Sequence, residues 1–406
     1  SSYSQHLSLW KGMIFMTLTT EVNQYMDELI EIRRHLHQHP ELSFQEENTK
    51  KYIADYLENL GIEVKRDVGG NGLLGYINGG HEGPTIALRA DFDALPIQDE
   101  KDVPYKSKVD GVMHACGHDA HTASLLITAK ILKKHEQDIH GNVVLIHQHA
   151  EESLPGGAKA MVEAGALDGV DYVFGTHTAS HIDANKVGFC SGPAYAAADS
   201  FEIDIQGLGG HGAMPQLAKD PIVAASSLIV QAQSIVSRTV DPLESAVVTF
   251  GTFKGGNAFN VIADKVQLSG TIRTYLPYVK DQIKERLNGI LNGIESSYGV
   301  KCHLKYHDGY PPVVNHEKET EWAKKLASEI DSVDEAFDFP PSLGGEDVGY
   351  FLQHVPGTYF FTGVGNEVLK ATYPHHHPKF DLDEQALQNS VKLFLSIIEH
   401  SDELEK

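Results

Sequence analysis

Four widely separated segments of this chain carry residue types that bind transition metals. The densest is 115–121, where one thiol, two imidazoles and a carboxylate fall within six positions. The other three are 147–152, His177 and 375–377. Sulfur, imidazole nitrogen and carboxylate oxygen together suit a borderline divalent metal such as zinc. The fold must therefore bring four distant segments to one point, and no other feature of the sequence constrains it as strongly.

Apolar periodicity predicts the elements around these segments. The predicted strands cover 62–68, 72–77, 85–90, 142–146 and 358–364, with one more ending at His177. The predicted helices cover 20–40, 46–60, 118–134 and 317–330, with a last one from about residue 383. Strands alternate with helices, and ligand-type residues follow the strand ends. This order is typical of an α/β protein with a mostly parallel, helix-covered sheet and a site at the strand ends.

The pattern changes between residues 198 and 310. It reads strand 201–205, helix 220–238, strands 246–253 and 265–275, helix 279–298 and strand 301–307. This β-α-β-β-α-β order predicts an inserted ferredoxin-like α+β domain. The domain that carries the candidate metal ligands is then predicted at 16–197 and 311–406, and the inserted domain at 198–310. Residues 1–15 lack periodicity, so we interpret them as a disordered extension or an expression remnant.

Composition excludes several classes of partner. A chain of 406 residues is too long for one core, so two domains are expected. The formal net charge of −23 repels nucleic acid and anionic membranes, so neither is an expected partner. No apolar run approaches the length of a membrane span. Only three cysteines are present, which argues against a disulfide framework and fits a reducing cytoplasm.

Each candidate residue also has an ordinary structural interpretation. Cys116 beside His118 suits a small buried thiol next to a hydrogen-bonded histidine. Glu151 and Glu152 suit a solvated acidic pair, and His177 alone suits a core. However, adjacent side chains in extended backbone point in opposite directions. One glutamate can therefore bind a metal while its neighbour acts as general base on metal-activated water.

Other polar residues near element ends are further candidates. His211 lies in the glycine-rich loop 207–215, which is either a plain turn or a segment that brings an imidazole to a substrate carbonyl. Asn260 and Arg273 lie near predicted strand ends, and the bidentate fork of Arg273 suits a substrate carboxylate. Three aspartates suit either caps or the orientation of a ligand histidine, namely Asp91, Asp93 and Asp119.

Eight motifs, in order, resemble one family: the dinuclear-metal amidohydrolases and peptidases. This family includes aminoacylase, hippurate hydrolase, the plant auxin-conjugate hydrolases and carboxypeptidase G, and the resemblance is closest to the aminoacylase, hippurate hydrolase and auxin-conjugate branch. It covers about residues 20–400. The motifs lie at 33–41, 89–96, 115–121, 150–152, 209–215, 270–273, 345–347 and 376–378.

The resemblance implies a centre of two divalent ions per chain, zinc or else manganese, cobalt or nickel. The implied ligands, with the first one bridging, are Cys116, His118, Glu152, His177 and His376. His376 is preferred because it lies two residues before Pro378, with His375 as the fallback. The resemblance further implies Glu151 as the general base.

The same resemblance implies that the inserted domain at 198–310 is a lid and dimerisation domain of the catalytic domain. His211 would act on the carbonyl oxygen, often from the partner subunit, in a homodimer formed through the inserted domain. Asn260 and Arg273 would help hold the substrate. Two departures from the family bear on the substrate pocket. His149 stands where relatives usually have proline, and 178–180 is less bulky than in relatives.

The sequence therefore predicts a cytoplasmic, metal-dependent hydrolase that cleaves the amide bond of N-acyl-L-amino acids. A dipeptidase or carboxypeptidase on the same centre is one alternative. A cysteine hydrolase is another, although Cys116 and its base His118 are only two residues apart and the carboxylates would have no role. The third alternative is a catalytically inactive metal-binding protein.

Overall fold

The structure is a computed structural model that describes residues 18–404. The interpretation of residues 1–15 lies outside this range. The described chain divides into two compact units. The larger unit comprises the residues up to Ala194, Val314–Pro340 and the residues from Asp347 onward, and the inserted unit comprises Tyr195–Val313 and Pro341–Glu346.

The strands, numbered along the chain, are β1 Glu63–Val68, β2 Gly72–Asn78, β3 His81–Asp91, β4 His140–Gln148, β5 Tyr172–Asp183, β6 Lys186–Phe189, β7 Gly192–Tyr195, β8 Ala197–Gln206, β9 Gly210–His211, β10 Ala246–Gly255, β11 Val261–Ile262, β12 Lys265–Thr274, β13 Lys301–Tyr310, β14 Val313–Asn315, β15 Glu335–Asp338 and β16 Gly357–Gly365. The α-helices are α1 Met26–Gln38, α2 Glu47–Asn59, α3 His118–Lys134, α4 Ala158–Glu163, α5 Pro221–Ser234, α6 Pro277–Tyr298, α7 Glu317–Ser328, α8 Gly349–Leu352 and α9 Leu387–Glu399.

The larger unit is built on one sheet with the strand order β1-β2-β4-β3-β5-β16-β6-β15. Its four central strands, β4, β3, β5 and β16, run parallel. Antiparallel pairs occur between β1 and β2, β2 and β4, and β16 and β6. The prediction of a mostly parallel sheet covered by helices is confirmed. The short strands β6 and β15 were not predicted, because four residues carry too little periodicity.

Two buried helices form the core of the larger unit with the sheet. Helix α3 packs against α1 and α9, and almost every residue of α3 and α9 is buried. Both helices carry apolar residues on several faces, as burial requires, and they also bury polar residues that include Asp119 and Lys392. The observed bounds of α3, 118–134, match the prediction. Within residues 18–404, no helix has both the length and the apolarity that crossing a membrane requires.

The inserted unit is a four-stranded antiparallel sheet with the order β10-β12-β8-β13, packed against α5 and α6. This order confirms the predicted ferredoxin-like fold. Helix α5 begins as predicted, since Asp220 accepts hydrogen bonds from the N–H groups of Ile222 and Val223. Residues 341–346 also pack here, because the carbonyl oxygen of Ser342 accepts a hydrogen bond from the Tyr275 hydroxyl at 2.8 Å.

One acidic residue is buried at the end of α9. Glu399 is 8% exposed, and its Oε1 forms no hydrogen bond within residues 18–404. Burial raises the pKa of Glu399 from 4.5 to about 9. The folded protein therefore keeps a proton that the unfolded chain releases. Between these two pKa values the unfolding free energy falls as the pH rises.

We predict that Glu399→Gln stabilises the protein at pH 8. The amide cannot ionise, so the variant avoids the penalty that wild type suffers above its unfolded pKa. The midpoint of thermal unfolding should rise relative to wild type at pH 8, and the difference should disappear at pH 4. Equal midpoints at pH 8 would show that Glu399 is not held in its neutral form.

Candidate metal centre

The candidate ligands lie on one edge of the larger sheet, and all of them except His177 lie at or beyond the ends of elements. Strand β3 ends at Asp91 and β4 ends just before the 149–152 turn, whereas β5 continues to Asp183 and so does not end at His177 as predicted. Because these strands are parallel neighbours, their carboxyl ends meet. Helix α3 begins at His118, and His376 lies in the loop after β16.

The structure brings together all five of the predicted ligands. The Sγ atom of Cys116 lies 3.5 Å from Nε2 of His177. Glu152 lies between two imidazoles, with Oε1 3.5 Å from Nε2 of His118 and Oε2 3.3 Å from Nε2 of His376. Ligand atoms of Cys116, Glu152 and His376 all lie within 4.8 Å of one another.

These residues fit a bound metal. Metal–ligand distances of about 2.0–2.3 Å in a tetrahedral site place neighbouring ligand atoms roughly 3.3–3.8 Å apart, which is the spacing observed. Within the described chain, Nε2 of His118 and Oε1 of Glu152 are buried and form no hydrogen bond. Buried polar atoms normally have a partner. A divalent cation would supply one for both atoms.

Backbone carbonyls orient two of the imidazoles. Nδ1 of His118 donates to the carbonyl oxygen of Asp93 at 2.8 Å, and Nδ1 of His177 donates to that of Thr178 at 2.7 Å. In each ring the proton is therefore on Nδ1, and the lone pair of Nε2 points into the cluster. This arrangement is the usual support for a metal-binding histidine.

The choice between His375 and His376 depends on hydrogen bonds. A ring nitrogen of His375 lies close enough to Cys116 and His177 to share a metal. However, Nδ1 of His375 donates to the carbonyl oxygen of Cys116 at 3.2 Å, and its Nε2 accepts from the N–H of Ser180 at 3.3 Å. Both ring nitrogens are thus engaged. The ring of His376 faces Glu152, and its left-handed backbone (φ 71°) is held by a 2.7 Å hydrogen bond from its N–H to the Ala115 carbonyl.

Negative charge accumulates in this cluster. Burial lowers the pKa of His118, but Asp91, Asp93 and Glu152 outweigh burial and raise it well above its ordinary value. Burial raises the pKa of the Cys116 thiol, and the nearby glutamates raise it further. Both shifts have the same physical meaning: the cluster favours added positive charge. A divalent cation would supply that charge in place of protons.

Glu151 is buried beside the ligands, with an oxygen within 4.8 Å of ligand atoms of His118 and Glu152. The preceding residue, Ala150, has a left-handed backbone with φ 52°. This conformation costs a non-glycine residue on the order of 1 kcal/mol, and such strain is concentrated at functional sites. The turn presents two adjacent carboxylates to one cluster.

His121 and Arg89 have roles in the site that the sequence did not indicate. The Thr178 N–H donates to Nε2 of His121 at 2.9 Å, so Nδ1 of His121 donates to Asp91, 2.6 Å away. His121 therefore links β3 to the segment after His177. Its spacing of three residues from His118 on one helix was the available signal. Arg89 is fully buried and lies 3.2 Å from the Asp91 carboxylate.

The other ligand-type residues have structural partners or lie apart. Asp119 pairs with the buried Arg33 at 2.9 Å and with His37 at 2.8 Å. Of the three candidate aspartates, Asp93 is the one that orients a candidate ligand, because its carbonyl oxygen and carboxylate face Nδ1 of His118. His147 is buried in the sheet, and burial lowers its pKa to about 3. His149 packs against Gly70 and Gly157.

The remaining candidates belong to the inserted unit. His211 is exposed on β9, where it pairs with Val261 of β11, and the next residue donates its N–H to the Asn260 carbonyl at 2.9 Å. Arg273 lies near the far end of β12, eight residues beyond Lys265, or roughly 26 Å along the strand. Its guanidinium donates to Thr271 and to the Ile272 carbonyl. The structure thus brings His211 and Asn260 together and places Arg273 apart from them.

The chain is similar to known peptidases and amidohydrolases. Residues 87–400 match Peptidase family M20/M25/M40. The amidohydrolase YhaA of Bacillus subtilis (strain 168) is 48% identical over 94% of this chain and 97% of its own length. The N-acetyl-L-cysteine deacetylase of the same organism is 43% identical over 89% of this chain and 85% of its own.

A solved structure agrees with these relatives. The Bacillus subtilis YXEP protein, described as a dinuclear metal binding peptidase from the M20 family, has a TM-score of 0.82 and 35% identity, covering 94% of this chain and 99% of that one. The cluster of cysteine, histidine and glutamate side chains fits the metal-binding hydrolases to which these relatives belong. The chain belongs to Peptidase family M20/M25/M40.

We predict that Gly117→Ala disrupts the site. Gly117 separates Cys116 from His118 in a left-handed conformation (φ 86°), and a Cβ there would lie 2.1 Å from Oγ1 of the buried Thr178. Strain and overlap together should cost on the order of 2–4 kcal/mol. Denaturant unfolding and metal titration by calorimetry would measure the loss of stability and affinity.

Gly111→Ala is the matched control. Gly111 is also left-handed (φ 74°), but a Cβ would have no atom within 4 Å. It should cost only about 1 kcal/mol and leave metal binding unchanged. Equal effects of the two substitutions would mean that the contact with Thr178 is unimportant.

Proposed function

We propose that this protein hydrolyses the amide bond of N-acyl-L-amino acids with the help of two divalent metal ions. The observation that carries this proposal is the cluster of Cys116, His118, Glu152, His177 and His376 with Glu151 buried beside it. The YhaA and deacetylase relatives support hydrolysis of amides of small molecules. Zinc suits the donor set, and manganese, cobalt and nickel are alternatives.

The metal centre, when loaded, lowers the pKa of a water molecule and polarises the scissile carbonyl. Glu151 supplies the proton transfers: its carboxylate accepts a proton from the attacking water and passes it to the leaving nitrogen. Burial of Glu151 limits exchange of that proton with solvent. His118 and His177 keep their Nε2 lone pairs directed into the cluster, because their Nδ1 protons are held by carbonyl oxygens.

The inserted unit is proposed to complete the substrate site. His211 would donate a hydrogen bond to the carbonyl oxygen, and Asn260 and Arg273 would hold the rest of the substrate. His211 and Asn260 lie together, whereas Arg273 lies at the far end of β12. This separation suits a homodimer through the inserted unit, with His211 supplied by the partner subunit. The sheet-edge position of β10 and the exposure of three apolar side chains on α5, namely Ile222, Val223 and Val230, support such an interface.

A dipeptidase or carboxypeptidase activity is the second candidate, favoured by the family's peptidase members. Both substrate classes have an amide next to a carboxylate, so one centre can serve both. A cysteine nucleophile is disfavoured, since burial and the adjacent glutamates raise the pKa of Cys116 and oppose its thiolate. All three cysteines are free, which supports our proposal of a cytoplasmic location.

Metal analysis with a substrate screen tests the proposal. Purified protein should contain two divalent ions per chain and hydrolyse acetyl- or benzoyl-amino acids. A chelator should abolish the activity, and added zinc, manganese, cobalt or nickel should restore it. Preference for dipeptides would favour the peptidase alternative. Bound metal without turnover of any amide would indicate the inactive metal-binding protein.

We predict that Glu151→Gln removes activity but not metal. Loss of a general base should lower kcat by about 10²–10⁴-fold, while mass spectrometry still finds two ions per chain. Glu152→Gln should instead lose metal, because Glu152 faces both His118 and His376. Glu163→Gln, at an exposed position on α4, is the neutral control. A Glu151→Gln variant with wild-type kcat would contradict the assignment.

A further inference from the structure

The turn that carries Glu151 and Glu152 is tied down on both sides by buried carboxylates. The N–H of Ala150 donates to Oε2 of Glu46 at 2.8 Å. The N–H of Glu152 donates to Oδ2 of Asp93 at 2.9 Å. The peptide group that joins residues 149 and 150 and the one that joins residues 151 and 152 are therefore anchored to two other segments of the chain. Such anchoring restricts rotation of the backbone that presents the proposed general base.

Glu46 has an unusual place for this task. It precedes α2 at the N-cap position, where a side chain normally accepts a hydrogen bond from the first helical turn. Glu46 forms no such bond. Glu41 does so instead, since its Oε1 accepts from the Thr49 N–H at 2.5 Å and its Oε2 from the Asn48 N–H at 3.2 Å. The carboxylate of Glu46 is thereby directed to Ala150.

A second donor fixes the other oxygen of Glu46. Nδ2 of Asn71 donates to Oε1 of Glu46 at 3.2 Å, while Oδ1 of Asn71 accepts from Nζ of Lys50 at 3.1 Å. The lysine contact determines which end of the Asn71 amide faces Glu46. Glu46 is completely buried. Burying a carboxylate costs free energy, which hydrogen bonds from donors at both oxygens offset. One of these donors is the Ala150 N–H, so the buried carboxylate of Glu46 fixes the backbone at Ala150.

We propose that Glu46 is a positioning residue: its carboxylate holds the left-handed turn at Ala150 and so aims Glu151 at the metal cluster. This inference rests on the proposed function, in which Glu151 is the general base. Glu46 itself acts only through the backbone of the turn. Without its carboxylate the Ala150 N–H would lose its acceptor, and Glu151 would sample positions away from the cluster.

A swap of amide and carboxylate tests the proposal. In Glu46→Gln the new side chain has one oxygen and one NH₂, so it cannot accept from both Ala150 and Asn71. Adding Asn71→Asp restores complementarity, because the new carboxylate accepts from the new amide and from Lys50. The matched control is Glu47→Gln, since Glu47 is the next residue and its side chain is 70% exposed.

Kinetics and stability are measured together at pH 8. Burial and the nearby Asp93 raise the pKa of Glu46 to about 7, so its carboxylate is ionised there. We expect Glu46→Gln to lower kcat by about 10²-fold with little change in KM or metal content, because a general base has been displaced. The double variant should recover kcat to within about threefold of wild type, because the two substitutions together restore the hydrogen bonds that Glu46→Gln alone disrupts. A wild-type kcat in Glu46→Gln, or a loss that follows the unfolded fraction alone, would overturn the inference.

Hydrogen exchange of the metal-free protein gives a readout that does not depend on activity. The Ala150 amide should exchange about tenfold faster in Glu46→Gln than in wild type, and the double variant should restore its protection. Unchanged exchange overturns the inference even if kcat falls. If wild type hydrolyses no amide at all, the proposed function fails, while faster exchange in Glu46→Gln still supports the hold of Glu46 on the turn.

Discussion

The buried carboxylate of Asp93 joins three segments on which the candidate metal centre depends. Its Oδ1 lies 3.2 Å from Nδ1 of His118, and its Oδ2 accepts hydrogen bonds from the Glu152 N–H at 2.9 Å and the Ser43 hydroxyl at 2.7 Å. Asp93 thus connects the end of β3 to the start of α3 and to the turn after β4. Because Asp93 is 1% exposed, water cannot replace these partners, and the three segments stabilise one another.

The site concentrates conformational strain as well as charge. Ala150 and His376 have left-handed backbones. The N–H of Ala150 donates to the buried carboxylate of Glu46, and the N–H of His376 donates to the carbonyl oxygen of Ala115. A non-glycine residue stays in this region only when its surroundings enforce it. In this protein the enforcement comes from long-range hydrogen bonds rather than from local turn chemistry. The turns are therefore stable only in the folded larger unit.

Family membership and residue roles have different support. The match of residues 87–400 to the family, together with relatives that are more than 40% identical, establishes that the chain belongs to the family and is a hydrolase. The substrate is a narrower question, because relatives of one fold act on different amides. His149 packs against glycine backbones, and Ser180 donates its N–H to His375. Both segments that are expected to depart from the family are therefore buried next to residues of the candidate centre.

The sequence by itself determined the elements and the residue types of the site. Helix α3 has the predicted bounds, and the central parallel strands lie where apolar runs predicted them. The ferredoxin-like order followed from the succession of strand-type and helix-type periodicities along the chain. These features depend on short-range periodicity, which repeats every 3.6 or 2 residues. Only the tertiary structure decided that His376 faces Glu152 while both nitrogens of His375 are engaged, and that Glu46 reaches Ala150, 104 residues away. Hydrogen bonds across such separations depend on how the elements pack, and no local pattern in the chain encodes them.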